Sequence, residues 1–379
     1  MAKKEILIIN SNGPLKGEVN ISGAKNSALP ILAACVLGTE EIILDGVPEL
    51  KDVEIMVEVL KHLGSEVKYL DKNTLSINSS SINTCETPYE LMDKMRASFV
   101  VMGPLLSRFH AAYTKAPGGC NIGSRPIDLH LKGFEALGAV NRVNNDEIAI
   151  EAKKGLTGTE IYLDFPSVGA TQNIIMAASL AKGKTTLENA AKEPEIVDLA
   201  SFLSKMGANI KGAGTSTIVI EGVEKLTGTR HTIIPDRVEA ATYMTAAAMT
   251  RGEVLINNVI GSHIRPVIAK LVEMGVDVEE IEDEDKIIVK APKRLKSTNI
   301  QTLPYPGFPT DAQAQFMALM TICEGESRIQ ETVFENRFMH VEELMKMGAV
   351  IATSGNRATI AGVKKLHGAD VKATDLRAG

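Results

Sequence analysis

Apolar positions along this chain follow two patterns that alternate. Stretches such as DVEIMVEVLKHL and HVEELMKM carry apolar residues at three- and four-residue spacing. They predict amphipathic helices with one buried face. Other stretches lack a polar face. SALPILAACVL, ATQNIIMAASLA, EAATYMTAAAMT and DAQAQFMALMTIC are apolar or small nearly all round, which predicts helices buried on every side. The short segments EEIILDGV, KTTLENAA, EVLINNVI and ESRIQETV predict strands. Helices without a polar face, set among strands, imply a core of helices walled by sheets.

The pattern repeats. LKHLGSEV, FEALGAVN, LSKMGANI, LVEMGVDV and LMKMGAVI each end a helical pattern on Gly64, Gly138, Gly207, Gly275 or Gly348, and 74, 69, 68 and 73 residues separate these glycines. Each glycine fits a left-handed helix C-cap. Gly38, Gly183, Gly252 and Gly325 mark the same register a second time, each between an Ala-rich segment and a short strand. A unit of about 70 residues therefore reads helix, strand, helix, strand, strand. The chain holds five such units, and the spacing predicts that its last words, ATDLRAG, enter a sixth.

Composition narrows the function. A length of 379 residues favours at least two domains. Lys and Arg number 41 against 47 Asp and Glu, a net charge of −6 that argues against broad nucleic-acid or anionic-membrane binding. With no Trp, six Tyr and nine Phe, base-stacking platforms are hard to build. No run of apolar residues is long enough to span a membrane, and MAKKEILIIN does not read as a signal peptide, so the expectation is a cytoplasmic protein. Cys35, Cys85, Cys120 and Cys323 are dispersed, forming neither a disulfide framework nor a metal site.

Three stretches carry candidate chemistry. APGGCNIGSRPIDLH is a Gly-rich loop holding Cys120, with Arg125 five residues on. A nearby cation favours a thiolate, and such a loop offers Cys120 little core to pack into. Cys35 and Cys323 fall instead within buried helix patterns, and nothing around Cys85 marks it for chemistry. In GEVNISGAKNSALPI, Lys25 and Asn26 stand at the mouth of a buried helix. Lys25 could cap loop carbonyls or hold an anion beside the helix N-terminus. In YPGFPTDAQAQF, the plain reading makes Thr310 or Asp311 an N-cap. Because several buried helices begin on polar residues, an anion site between two domains is the other reading. Arg96, Ser167, Glu335, Arg337, Asp375 and Arg377 lie in further polar clusters, while His130 and His340 fall at helix starts. No GxGxxG, Walker loop, HExxH or GxSxG is present.

In chain order, GEVNISGAKNSALPIL, MRASFVVMGPLLSR, APGGCNIGSRPIDLH, FPSVGATQNI, YPGFPTDAQAQF and ETVFENRFMHVEEL resemble the UDP-N-acetylglucosamine 1-carboxyvinyltransferases. The resemblance covers essentially the whole chain. It implies an α/β (α+β) fold, a two-domain inside-out barrel with residues 1–21 and 235–379 in a discontinuous domain and 22–234 in a continuous one. It implies transfer of the enolpyruvyl group of phosphoenolpyruvate to the 3′-hydroxyl of UDP-N-acetylglucosamine, with no cofactor or metal. Asp311 is then the base. Cys120 is the acid, open to alkylation by epoxides such as fosfomycin. Lys25, Asn26 and Arg125 hold phosphoenolpyruvate. Arg96, Arg125, Pro126, Ile127, Asp128, Leu129, Ser167, Val168, Gly169 and Val333 line the sugar-nucleotide site, with Arg337, Asp375 and Arg377 near the cleft. Two departures stand out: Val100 replaces a frequent aromatic residue, and the family's HIDRG-like segment lies beyond residue 379. Two alternatives are the related shikimate 3-phosphate enzyme, which the Cys120 loop disfavours, and a truncated paralogue that binds UDP-sugar without turnover.

Overall fold

The computed structural model describes residues 6–115, 127–144 and 147–373, without the side chains of residues 93, 94, 96–98 and 282. After β1 (Lys16–Asn20) the chain runs through five units of one plan. The first holds α1 (Lys25–Ala34), β2 (Ile42–Asp45), α2 (Lys51–Leu63), β3 (Glu66–Tyr69) and β4 (Leu75–Asn78). The second holds α3 (Tyr89–Lys94), α4 (Met102–Phe109), β5 (Ala111–Lys115), α5 (Asp128–Ala136), β6 (Val140–Asn144) and β7 (Glu147–Glu151). The third holds β8 (Glu160–Tyr162), α6 (Val168–Ala178), β9 (Lys184–Glu188), α7 (Pro194–Lys205), β10 (Asn209–Lys211) and β11 (Thr217–Glu221). After β12 (Arg230–Thr232), the fourth holds α8 (Arg237–Thr250), β13 (Glu253–Asn257), α9 (Arg265–Glu273), β14 (Asp277–Ile281) and β15 (Lys286–Lys290). The fifth holds β16 (Asn299–Gln301), α10 (Gln313–Met320), β17 (Glu326–Gln330), α11 (Val341–Lys346), β18 (Val350–Ser354) and β19 (Arg357–Ala361).

In the third and fifth units the strand ahead of the first helix pairs in parallel with the strand after it, and a hairpin adds two antiparallel strands, giving β8-β9-β11-β10 and β16-β17-β19-β18. In the second unit β5, β7 and β6 form the sheet, and Glu86 alone bridges Tyr113 at its edge. Strands alternate buried and outward residues, Ile218 and Ile220 inward on β11 for example. The helices lie inside. Every residue of α1 from Ser27 on, and of α6 from Ala170 on, is buried. The α/β fold with helices at the core and sheets as walls is thus what the apolar pattern predicts.

The predicted helix ends are also found. Gly64, Gly138, Gly207, Gly275 and Gly348 all take left-handed φ, from 92° to 109°. The second glycine series is less uniform: Gly183 and Gly325 are left-handed, Gly38 is extended, and in the fourth unit Arg251 takes the left-handed turn at φ 57°. All-round burial holds less well for α8. It packs on α10, but Thr242 and Tyr243 stay exposed.

Two apolar cores result. One gathers residues from Ala28 to Ile233, including Val100 at 6% exposure. The other joins Ile21 to residues from Ala240 to Ile360. The chain passes between them twice, and the passages exchange strands. β1 precedes α1 yet pairs with β13, while β12 precedes α8 yet pairs with β2. Where they cross, the Ala24 N–H donates to Ile234 O at 2.7 Å, and the Asp236 N–H donates to Ser22 O at 2.9 Å. A Cβ on Gly23 would lie 1.8 Å from the Gly46 carbonyl oxygen, so only glycine fits there. Among the described residues no helix is long and apolar enough to cross a membrane.

Two outcomes follow from this packing. Gly23→Ala should cost about 3 kcal/mol or more, because the crossing backbone must move. Gly138→Ala, with open space around it, should cost only about 1–2 kcal/mol for its left-handed φ. Urea unfolding of the two variants beside the parent measures the difference. Burial pushes the Cys323 thiol from 9.0 up to about 12 and the Cys35 thiol higher still. At pH 8 the Cys323 thiolate fraction is therefore about 10⁻⁴. Iodoacetamide at pH 8 should leave both cysteines unmodified in the native protein and label both once the chain is unfolded in urea. Rapid native labelling at pH 8 would contradict this burial.

Candidate active site

The crossing segments bring the N-termini of α1 and α8 together, and one of the protein's own carboxylates occupies both. Asp236 is the N-cap of α8: its Oδ1 accepts the Val238 N–H at 2.8 Å and the Glu239 N–H at 3.1 Å. Its Oδ2 accepts the N–H of Lys25, the first residue of α1, at 3.2 Å. One buried carboxylate thus serves two helices. The Lys25 ammonium pairs with Asp52 Oδ2 at 3.0 Å. This partner, from the first turn of α2, is neither of those read from the sequence. Asn26 follows, half-buried.

The YPGFPTDAQAQF stretch departs from its capping reading. Pro309 occupies the cap position of the 3₁₀ turn Thr310–Ala312, and neither Thr310 nor Asp311 caps. Both side chains are engaged across the fold. Asp311 Oδ1 meets Arg337 Nη2 at 2.8 Å, and Arg337 Nη1 donates to Thr310 Oγ1 at 3.0 Å. The Thr310 hydroxyl donates to Glu331 Oε2 at 2.9 Å. Glu331, 2% exposed, also accepts the N–H groups of Val333 and Phe334 at 2.9 and 3.1 Å. The structure therefore brings Asp311, Val333 and Arg337 into one cluster, with Glu331 as its organiser.

A third cluster joins α5 to α6. Ser167 is the N-cap of α6, accepting the Ala170 N–H at 3.3 Å. Gly169 lies against the His130 ring, where a Cβ would be 3.1 Å from Cε1. His130 Nδ1 is 2.8 Å from Asn173 Nδ2, and an amide nitrogen only donates, so Nδ1 accepts. Ile127, Asp128 and Leu129 open α5 just before His130. Ser167, Val168 and Gly169 thus open α6 beside the first turn of α5 at His130. Cys120, Arg125, Pro126, Asp375 and Arg377 lie outside the described residues. Arg96 opens the 3₁₀ turn Arg96–Val101, and its side chain is outside them too.

Between the clusters sits Arg237, which the sequence analysis passed over. Its Nε donates to Glu195 Oε1 at 2.9 Å, and its guanidinium lies 5.5 Å from the Tyr305 ring centre. Burial opposes its charge, but Glu195, Glu193 and Asp311 outweigh this and hold its pKa above the ordinary value. Glu193 is pushed up chiefly by burial. It lines a cavity of about 310 Å³ with Asn189, Lys192, Tyr305 and the surrounding prolines, which draws on both cores. His263, also beside Glu195 and Arg237, is pushed down by burial. Two signals for these residues were readable. A Pro-Asp pair ahead of an Ala-rich helix marks an N-cap at Asp236, and acids in the first turn of a helix, as in EPEI, mark Glu195.

The model of the EPSP synthase (3-phosphoshikimate 1-carboxyvinyltransferase) family matches residues 9–379. The UDP-N-acetylglucosamine 1-carboxyvinyltransferase of Finegoldia magna is 67% identical over 375 residues, covering 99% of this chain and 89% of that protein. Those of Caldanaerobacter subterraneus (numbered 1) and Carboxydothermus hydrogenoformans (numbered 2) are 59% and 56% identical with the same two coverages. Among solved structures, the enolpyruvyl transferase NikO of Streptomyces tendae superposes with a TM-score of 0.83 at 23% identity, over 93% of this chain and 83% of that one. An EPSP synthase of Acinetobacter baumannii gives 0.72 at 18%, over 95% and 84%. The two structural likenesses establish the fold, and the sequence identities establish the lineage. This chain belongs to the EPSP synthase family and, within it, to the UDP-N-acetylglucosamine 1-carboxyvinyltransferases.

Proposed function

We propose that this protein transfers the enolpyruvyl group of phosphoenolpyruvate to the 3′-hydroxyl of UDP-N-acetylglucosamine, releasing phosphate, in the first committed step of peptidoglycan synthesis in the cytoplasm. The 67% identity over 375 residues to a relative of that name carries the reading. Residues 22–234 form one domain and residues 1–21 with 235–379 the other, a division that the two cores and the crossing at Ser22 and Pro235 support.

The chemistry assigns roles by charge and place. Asp311, 2.8 Å from Arg337, takes the proton of the sugar hydroxyl. The freed oxygen attacks C2 of phosphoenolpyruvate while Cys120 delivers a proton to C3, giving a tetrahedral ketal with a methyl group. Loss of a methyl proton and of phosphate then restores the double bond. Lys25, Asn26 and Arg125 hold the phosphoenolpyruvate anion, whose charges need cations in a site closed to water. Arg96, the run from Arg125 to Leu129, Ser167, Val168, Gly169 and Val333 receive the sugar nucleotide. Arg337, Asp375 and Arg377 border the cleft.

The family model's name favours a second acceptor, shikimate 3-phosphate, and phosphate release separates the two. Turnover should require phosphoenolpyruvate and UDP-N-acetylglucosamine together, and shikimate 3-phosphate should not replace the sugar nucleotide. Binding of UDP-N-acetylglucosamine without phosphate release would point to a non-catalytic binding protein. Asp311→Asn should lower kcat about 10²–10⁴-fold, the usual worth of a general base. Cys120→Asp should keep turnover while abolishing covalent labelling by fosfomycin. Labelling that persists at another cysteine would remove Cys120 from its assigned place.

A further inference from the structure

Behind the first turn of α1 lies a buried polar chain that none of the assigned groups uses. Its centre is Asp198 on α7, 5% exposed. Asp198 Oδ2 accepts the Ser27 hydroxyl and, at 3.3 Å, the Ile234 N–H. Asp198 Oδ1 lies 2.8 Å from His231 Nε2. On the other side of the ring, Lys205 Nζ is 3.2 Å from Nδ1, and Phe202 packs against the imidazole at a centroid distance of 5.5 Å. Ser27 is fully buried and His231 is 3% exposed. A carboxylate only accepts and an ammonium only donates, so the ring carries its proton on Nε2 and accepts at Nδ1. The directions along Lys205, His231 and Asp198 are thereby fixed, and three donors converge on Asp198.

The position of this chain gives it a use. It ties α1, α7, β12 and the crossing segment at Ile234 to one carboxylate. Ser27 directly follows Lys25 and Asn26. The start of α1 is thus held along its first turn: the Ala24 N–H donates to Ile234 O at 2.7 Å, Asp236 grips the Lys25 N–H, and Asp198 grips the Ser27 hydroxyl. With the Asp198 grip gone the turn can shift on the others, and reacting groups displaced by about 1 Å can lose up to about 10²-fold in rate.

We propose that Asp198 and His231 are positioning residues for phosphoenolpyruvate. They fix the orientation of the first turn of α1, and through it the Lys25 and Asn26 side chains. The proposal rests on the assignment of Lys25 and Asn26 to the phosphoenolpyruvate anion. It also gives a reason for a polar group at Ser27 inside an otherwise apolar helix. A hydroxyl buried there costs stability unless it is bonded, and its bond runs to Asp198.

Half-saturating concentrations of each substrate in phosphate release, with melting temperatures alongside, test it in five variants. Asp198→Asn and His231→Phe should raise the half-saturating phosphoenolpyruvate about tenfold, roughly one lost charge-assisted hydrogen bond. UDP-N-acetylglucosamine should stay within about twofold of the parent, since its proposed contacts lie on other elements. His231→Gln keeps a donor near the place of Nε2 and should recover most of the loss. Ser27→Ala removes only the hydroxyl and should shift phosphoenolpyruvate about threefold in the same direction; it reads the contact if Asp198→Asn does not fold. Lower melting temperatures with both half-saturations unchanged would overturn the proposal, as would equal shifts for both substrates. Lys25→Ala separates the two layers. If it leaves phosphoenolpyruvate unaffected, the assignment of Lys25 fails and the proposal with it. If Lys25→Ala weakens phosphoenolpyruvate while Asp198→Asn, His231→Phe and Ser27→Ala do not, only the positioning role fails.

Discussion

The exchange of β1 and β12 is the constraint on which the rest depends. Each core borrows its parallel edge strand from the far side of the crossing, so neither sheet is complete without the two passages. At that point two helices, α1 and α8, begin a few residues from each other with their N–H groups unmet by intrahelical partners. Asp236 meets both with one side chain. Sequence distance is large here, since Lys25 and Asp236 stand 211 residues apart. The contact therefore forms only when both cores are in place, and it ties the geometry at Lys25 to the integrity of the whole chain. A close backbone approach at Gly23 enforces the same thing sterically.

Charges are drawn to this junction by the same geometry. Glu193, Glu195, Arg237, Asp311 and Arg337 come from elements of both cores, and most are withdrawn from water. Burying an ion costs several kcal/mol unless partners compensate, and here they do: Glu195 and Arg237 pair at 2.9 Å, Asp311 and Arg337 at 2.8 Å. Replacing such pairs by apolar residues would often be at least as stable. What an apolar junction lacks is a set of fixed cations and carboxylates between the two cores. Preorganised charges of this kind stabilise developing charge without reorganising at the moment of reaction. The raised pKa of Glu193 belongs to the same setting, a carboxyl desolvated where the two cores face each other.

Much of the fold was legible because its signals are local and repeated. A helix with no polar face has to be buried, and α1 and α6 are. A glycine after a helical pattern has to turn the chain, and all five do. The reading failed where a residue's partner lies far away in sequence. Asp311 looked like an N-cap because its neighbours promised a helix start, but the side chain turns to Arg337, 26 positions on. Lys25 likewise has a partner that its sequence neighbours do not indicate, Asp52. Asp198, Glu195 and Arg237 left little local trace of their pairings, since each pairing is made across units. All-round burial was overread for α8, where apolar composition does not reveal how many neighbours the helix has.

The four cysteines show why local chemistry and burial must be weighed together. Cys35 and Cys323 sit in helices whose interiors exclude water, and each thiol lies within hydrogen-bond reach of the carbonyl four residues earlier. Desolvation raises their pKa values because the thiolate, not the thiol, loses hydration. The protein thus keeps two sulfurs as small apolar fillers. A thiol that must give up and regain a proton near neutral pH cannot share that environment. It needs solvent access and a nearby cation, and the sequence around Cys120, with Pro117, Gly118, Gly119 and Arg125, differs from the apolar helices that hold Cys35 and Cys323. The division follows from one physical rule: the same desolvation that makes a cysteine good core makes it a poor proton donor.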